Sequence, residues 1–200
     1  MQRVFEGDLG RSVYLLPVRQ RRLDLMGIPW IKDATVSRLW PNRVSVRVEE
    51  RKPVAFVKRR GGADATLIDP EGVLMDAPPT LRFELPVVEG VGPEVNEIER
   101  KEQMHRVERL IRDLEGQVKQ VAEIDVTERD NLKVVQELQG RAVTLVLGKT
   151  NFRLRYMNFV DMSAELLQRL PNAVNFDLRL EDQVTAAADL SPTVRRKNVQ

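Results

Sequence analysis

Apolar and polar residues alternate most regularly between residues 29 and 55. Ile31, Ala34, Val36 and Leu39 lead into Trp40-Pro41-Asn42, after which Val44, Val46 and Val48 alternate with Arg43, Ser45, Arg47 and Glu49. A period of two is that of a half-buried strand, so the segment predicts two strands joined by a tight turn. Pro41 supplies a fixed φ and Asn42 local side-chain hydrogen bonding, both suited to a turn. Pro53 has no N–H to donate and ends the ladder. Upstream, residues 17–26 read as a short helix with Pro17 at its first turn and Gly27 as its stop. Arg19, Arg21 and Arg22 line its outer side.

Beyond the hairpin the pattern changes period. Gly61-Gly62 signals a further hairpin turn, and residues 76–86, with Pro78-Pro79, read as a linker. A helix is predicted over residues 94–115, because Met104, Val107, Leu110, Ile111 and Leu114 recur at helical spacing. Strands follow over 118–126, 132–138 and 142–147, then a helix over 152–170 with Phe152, Tyr156, Phe159 and Val160 on one face. Val174, Phe176, Leu178 and Leu180 alternate in a final strand. The tail from Asp189, ending Val194-Arg195-Arg196-Lys197, reads as disordered.

The hairpin string PWIKDATVSRLWPNRVSVRVEERKPVA resembles the core of the FtsQ/DivIB family of bacterial cell-division proteins. In that family it forms the end of a POTRA (polypeptide-transport-associated) domain on the outer side of the inner membrane. Thr66-Leu67-Ile68-Asp69-Pro70-Glu71-Gly72-Val73-Leu74 resembles the family's next strand and turn, and Leu85-Pro86-Val87-Val88 with Gly90 its following short motif. The likeness is specific over residues 29–90 and weaker, though collinear, to about Ala188. It implies an α+β chain: a partial POTRA domain over 1–77, a mainly antiparallel β domain with packed helices over 78–188, and a tail over 189–200. It also implies that a transmembrane helix and the first strand and helix of the POTRA domain are missing here. The family sits in the inner membrane as a single-pass protein with its bulk in the periplasm, at the division septum.

Composition limits the chemistry without naming it. The 32 basic residues nearly balance 30 acidic ones, so no net field favours nucleic acid. With no cysteine there are neither disulfides nor thiolate metal sites. No apolar run approaches the roughly 20 residues that span a bilayer, and Arg3, Glu6 and Asp8 interrupt any signal-peptide core. Gly148-Lys149-Thr150 sits between a strand and a helix, but Val143 stands where a phosphate loop needs its first glycine. His105, with Glu102 and Glu108 at helical spacing, reads as a solvated rim rather than a metal site, which needs convergent ligands. No serine sits in a nucleophile elbow. Glu49 and Glu50 are consecutive on a strand, point to opposite faces, and cannot share one acid–base task. The basic clusters Arg19-Arg21-Arg22 and Lys58-Arg59-Arg60 could approach anionic head groups, but read first as solubilising rims. No enzyme, metal or cofactor is expected.

The sharper expectation concerns the last strand. A strand that closes the folded region tends to lie at a sheet edge, where free N–H and C=O groups can accept a partner strand. The resemblance implies that this region receives a strand from FtsB, the partner of FtsL. The contact would fall on Arg179, Leu180, Glu181, Asp182, Gln183 and Val184, with Arg129 pairing an acidic residue of FtsB. Aromatic positions of some relatives are Leu180 and Ala188 here, which implies a contact carried more by backbone pairing. The implied function is a non-catalytic division scaffold that binds FtsB–FtsL and helps control septal peptidoglycan synthesis. The alternative is a POTRA module that handles polypeptides in outer-membrane assembly or secretion.

Overall fold

The computed structural model describes residues 2–58, 66–180 and 184–188. The Gly61-Gly62 turn, Arg59, Arg60, Glu181, Asp182, Gln183 and the tail lie outside them. The chain builds two sheets, each with its own core.

The first unit is the hairpin with helices against it. Strand β1 (Ile31–Leu39) pairs antiparallel with β2 (Arg43–Glu50), in the register Val36 to Val46 and Ala34 to Val48. The predicted helix forms as α2 (Val18–Met26), and a single turn, α1 (Gln2–Phe5), precedes it. Leu25, Ile31 and Ala34 are buried, and Val4, Phe5, Ile28, Val36, Val46 and Val48 pack around them. The turn α1 brings Val4 and Phe5 onto this core ahead of residue 17. Gly27 ends α2 with a right-handed φ of −70°, donating its N–H to the Leu23 carbonyl, so no left-handed cap is involved. Two of the three arginines expected on the outer side also act as clamps, Arg21 half-buried and Arg22 exposed. Arg21 binds the carboxylates of Asp8 and Asp24, and Arg22 donates to the Ala34 carbonyl (2.7 Å) and to Asp33 (2.9 Å).

The second unit is a nine-stranded sheet in the order β11-β10-β9-β8-β7-β6-β3-β4-β5. Its strands are β3 (Ala55–Val57), β4 (Thr66–Ile68), β5 (Leu74–Asp76), β6 (Val87–Glu89), β7 (Val121–Glu128), β8 (Asn131–Leu138), β9 (Arg141–Gly148), β10 (Ala173–Asp177) and β11 (Thr185–Ala188). Helices α3 (Glu97–Leu114) and α4 (Phe152–Arg169) cross over between strands. These crossovers make β6–β7 and β9–β10 parallel, and β3–β6 is parallel too. The sheet is therefore mixed, with antiparallel pairing among β7, β8 and β9 and at both ends.

Both helices cover the same face. Met104, Val107 and Leu110 of α3, with Phe152, Tyr156 and Phe159 of α4, are fully buried beside Ile124, Val134, Leu145 and Phe176. Asn96 caps α3 by accepting the Glu99 N–H at 2.9 Å, so the helix starts at Glu97, three residues later than expected. On the open face Lys133, Val135, Thr144 and Val146 are only half-buried.

The topology redraws the division of the chain. Strands β3 to β5 belong to the large sheet, although the sequence expectation grouped them with the POTRA part through residue 77. The expected linker is also a packed clasp. Phe83 stacks on Trp30 with ring centroids 6.4 Å apart and meets Phe56 edge-on, while the Trp30 indole donates to the Asp76 carbonyl at 3.1 Å. Arg51 completes the junction by donating to Asp69 (2.7 Å) and Glu71 (2.8 Å).

Candidate partner-binding edge

The expected edge strand is not the edge. β10 lies between β9 and β11, pairing parallel with the first and antiparallel with the second. The outer position belongs to β11, whose four residues pair only with β10 among the described residues. Asp177 faces Thr185 and Phe176 faces Ala186, so the segment 178–184 is the connection between the two strands. Its start is tied down: the Leu178 N–H donates to the Val146 carbonyl at 3.0 Å and the Leu178 side chain is buried. Leu180 then emerges, 62% exposed.

Arg179 organises this corner. Its Nε donates to both Asp177 carboxylate oxygens (2.9 and 3.0 Å), and its Nη1 reaches Asn131 Oδ1 at 3.1 Å. The Asp177 carboxylate also accepts the Arg179 backbone N–H at 3.0 Å. These hydrogen bonds from Arg179 outweigh partial burial and hold the Asp177 pKa below its ordinary value; the same bond raises that of Arg179. Asn131 in turn donates to Glu128 at 2.7 Å. Lys133 also binds Glu128, lowering the Glu128 pKa and keeping it charged.

Two separate parts of the sequence expectation therefore meet at one end of the sheet. The turn 128–131 carries Arg129, and the strand end 177–180 carries Arg179 and Leu180; Asn131 joins them. Arg129 projects with 87% of its side chain exposed and contacts Glu102 of α3 at 3.2 Å. Val184 is half-buried and packs on the main core. Glu181, Asp182 and Gln183 lie outside the described residues. Lys149, from the Gly148-Lys149-Thr150 loop, pairs with Asp130 at 2.6 Å beside the same turn. Gly148 has φ +74°, and a Cβ there would meet Arg155 at 2.9 Å and Arg179 at 3.2 Å. A residue with no side chain is what lets the two arginines close over the end of β9.

Sequence reasoning missed β11 and the joining role of Asn131. Thr185-Ala186-Ala187-Ala188 has no alternation and little strand propensity, so period alone gives it no signal. Asn131 directly after Asp130 reads as a turn residue, and its second partner comes from 48 residues away.

Residues 3–51 match the family described as POTRA domain, FtsQ-type. The chain is 34% identical to the cell division protein FtsQ of Koribacter versatilis over 97% of its own length and 57% of that protein's. The chain belongs to the FtsQ family of cell-division proteins. It is also 27% identical to the FtsQ proteins of Aliivibrio fischeri and Coxiella burnetii, each over 78% of the chain. The chain spans between 57% and 59% of these relatives' lengths. The family match stops at residue 51, where β2 ends and the Arg51 junction begins. That agrees with the two-sheet topology, since the FtsQ-type POTRA match covers the hairpin unit and none of the large sheet. Among the described residues no helix is long and apolar enough to cross a membrane, and no cluster of His, Cys, Asp and Glu could hold a metal.

Proposed function

We propose that this chain is the partner-binding part of a non-catalytic divisome scaffold, and that it accepts a strand of FtsB along the outer edge of β11. Family membership supports a place in the division machinery. The observation that carries the reading to a site is the position of β11. A short edge strand that has no outer partner among the described residues lies beside an exposed corner where Arg129, Arg179 and Leu180 can engage side chains of an incoming strand. Holding FtsB with FtsL there would help set when septal peptidoglycan synthesis begins. The setting is the periplasmic side of the inner membrane.

Backbone pairing gives a direct test. Successive N–H groups of a strand point to opposite neighbours, so of Ala186 and Ala187 one donates to β10 and the other outward. In a pull-down with the C-terminal segment of FtsB, proline at the outward position removes a ladder donor and abolishes capture. Arg129→Ala weakens capture about ten- to hundred-fold, the range for a charge-assisted contact. Full capture by both proline variants would refute strand addition, while capture lost only with Arg129→Ala would leave a side-chain interface.

A further inference from the structure

The hairpin unit exposes large apolar side chains at its tip that lie outside its own core. At the tip, Trp40 is 85% exposed and Leu39 is 50% exposed. Arg38, two residues before Trp40, donates to the carbonyls of Val13 (2.9 Å) and Leu16 (2.6 Å). Those bonds hold the segment 13–16 at the tip end of the hairpin, where Tyr14 (68% exposed) and Leu15 (80% exposed) stand out. Behind them runs a cavity of about 640 Å³ lined by Phe5, Leu9, Val13, Leu15, Val44 and Val46. Single exposed apolar residues need no explanation, but four large ones at the end of the unit where Arg38 ties the 13–16 segment to β1 do.

Charge identifies the occupant. Residues 2–52 carry eleven basic and six acidic residues, whereas the remainder carries 21 basic and 24 acidic. Asp8, Asp24, Asp33 and Glu49 are already spent on Arg21, Arg22 and Lys32. Arg11, Arg43 and Arg47 are exposed and take part in no described ion pair; Arg43 stands opposite Leu39 beside the turn and Arg11 lines the cavity, so unpaired positive charge borders the apolar tip. A second copy docking by the same face would oppose like charges. Exposed Trp and Tyr among arginines is the combination that suits a bilayer interface, with rings at head-group depth and cations against anionic lipid. We propose that the tip of the β1–β2 hairpin, with the clamped segment 9–16, docks on an anionic lipid surface. This differs from the basic clusters singled out in the sequence: Arg21 and Arg22 are paired with Asp8, Asp24 and Asp33, and Lys58 is bound to Glu89 and Glu123.

Vesicle partitioning of the full 200-residue chain tests this. Binding to phosphatidylcholine–phosphatidylglycerol vesicles, absent with phosphatidylcholine alone and weakened by salt, is the expected result. Trp40 should shift to the blue on binding, while Trp30, stacked on Phe83, stays constant as an internal reference. Arg11→Gln and Arg43→Gln should each lower partitioning about five-fold, and Trp40→Ser should remove the blue shift. All three side chains are exposed, so the fold tolerates their replacement. The proposal is overturned by no partitioning, by equal partitioning into neutral vesicles, or by variants that bind like the parent. A dimer that Trp40→Ser dissolves, with no vesicle binding, would instead make a second copy the occupant.

Discussion

Two arginines show how context decides what a charge does. Arg51 is mostly buried, with 15% of its side chain exposed, and its partner Asp69 has 3%. Burial pulls the Arg51 pKa down, but hydrogen bonds to Glu71 and Asp69 more than reverse this, and the net shift is upward. Asp69 meanwhile shapes the turn after β4 by accepting the N–H groups of Glu71 (3.0 Å) and Val73 (2.8 Å). Arg51→Ala leaves a buried carboxylate without its cation and should cost about 2 kcal/mol in urea unfolding; Arg43→Ala, at the exposed tip, should cost less than about 0.5 kcal/mol. At the other end of the sheet, Arg179 keeps Asp177 ionised. A depressed carboxylate pKa stabilises the fold above the unfolded value, and that contribution disappears as pH falls through the folded one. A carboxyl NMR titration should therefore place Asp177 below its ordinary 3.8, and Arg179→Gln should return it upward. Because both groups are partly exposed, the associated stability is small.

The elements are held by what their buried faces meet. The α4 stripe was legible from Phe152, Tyr156 and Phe159, but their partners were not. Phe159 packs on Phe176 of β10 with centroids 5.0 Å apart, tying the helix to the strand that follows it. Tyr156, fully buried, donates its hydroxyl to Gln136 Oε1 at 2.6 Å, and Gln136 is 1% exposed. Burial raises the Tyr156 pKa, so the hydroxyl stays protonated and remains a donor. Tyr156→Phe leaves the glutamine acceptor unsatisfied and should destabilise by about 1–2 kcal/mol. Adding Gln136→Leu should restore part of the loss, because both polar groups then go together; calorimetry of the single and double variants measures it. A glycine does similar work between elements. Gly90, after β6, has φ +94°, and a Cβ there would meet the Thr127 backbone at 2.8 Å. Its place in the short motif was visible; the backbone it must admit was not.

At the scale of the molecule, the question is how the hairpin unit is joined to the large sheet. The family match ends at residue 51, and the clasp of Trp30, Phe83 and Phe56 begins the second unit's hold on the first. Aromatic pairs of this kind contribute about 1 kcal/mol each. Phe83→Ala should therefore speed hydrogen exchange at the Trp30 indole several-fold while leaving amide protection in β8 and β9 unchanged. Equal loss of protection in both units would mean that the chain unfolds as one cooperative body. The same separation explains why two surfaces can be assigned different partners: the charged corner at β11 lies on the large sheet, and the arginine-rimmed apolar tip lies on the hairpin unit.

Local pattern by itself determined the hairpin, both long helices and the three strand segments that follow α3, because periodicity and turn chemistry are properties of neighbouring residues; the family came from resemblance to known motifs. The same resemblance brought Arg129 and Arg179 forward. Strand order was decided by the tertiary structure alone. Which strand is outermost depends on pairings between residues far apart, and a featureless Thr-Ala-Ala-Ala segment takes the edge simply because β10 offers it unpaired backbone groups. The same is true of β3 to β5, whose short strands find their partners in a sheet that the chain completes more than a hundred residues later.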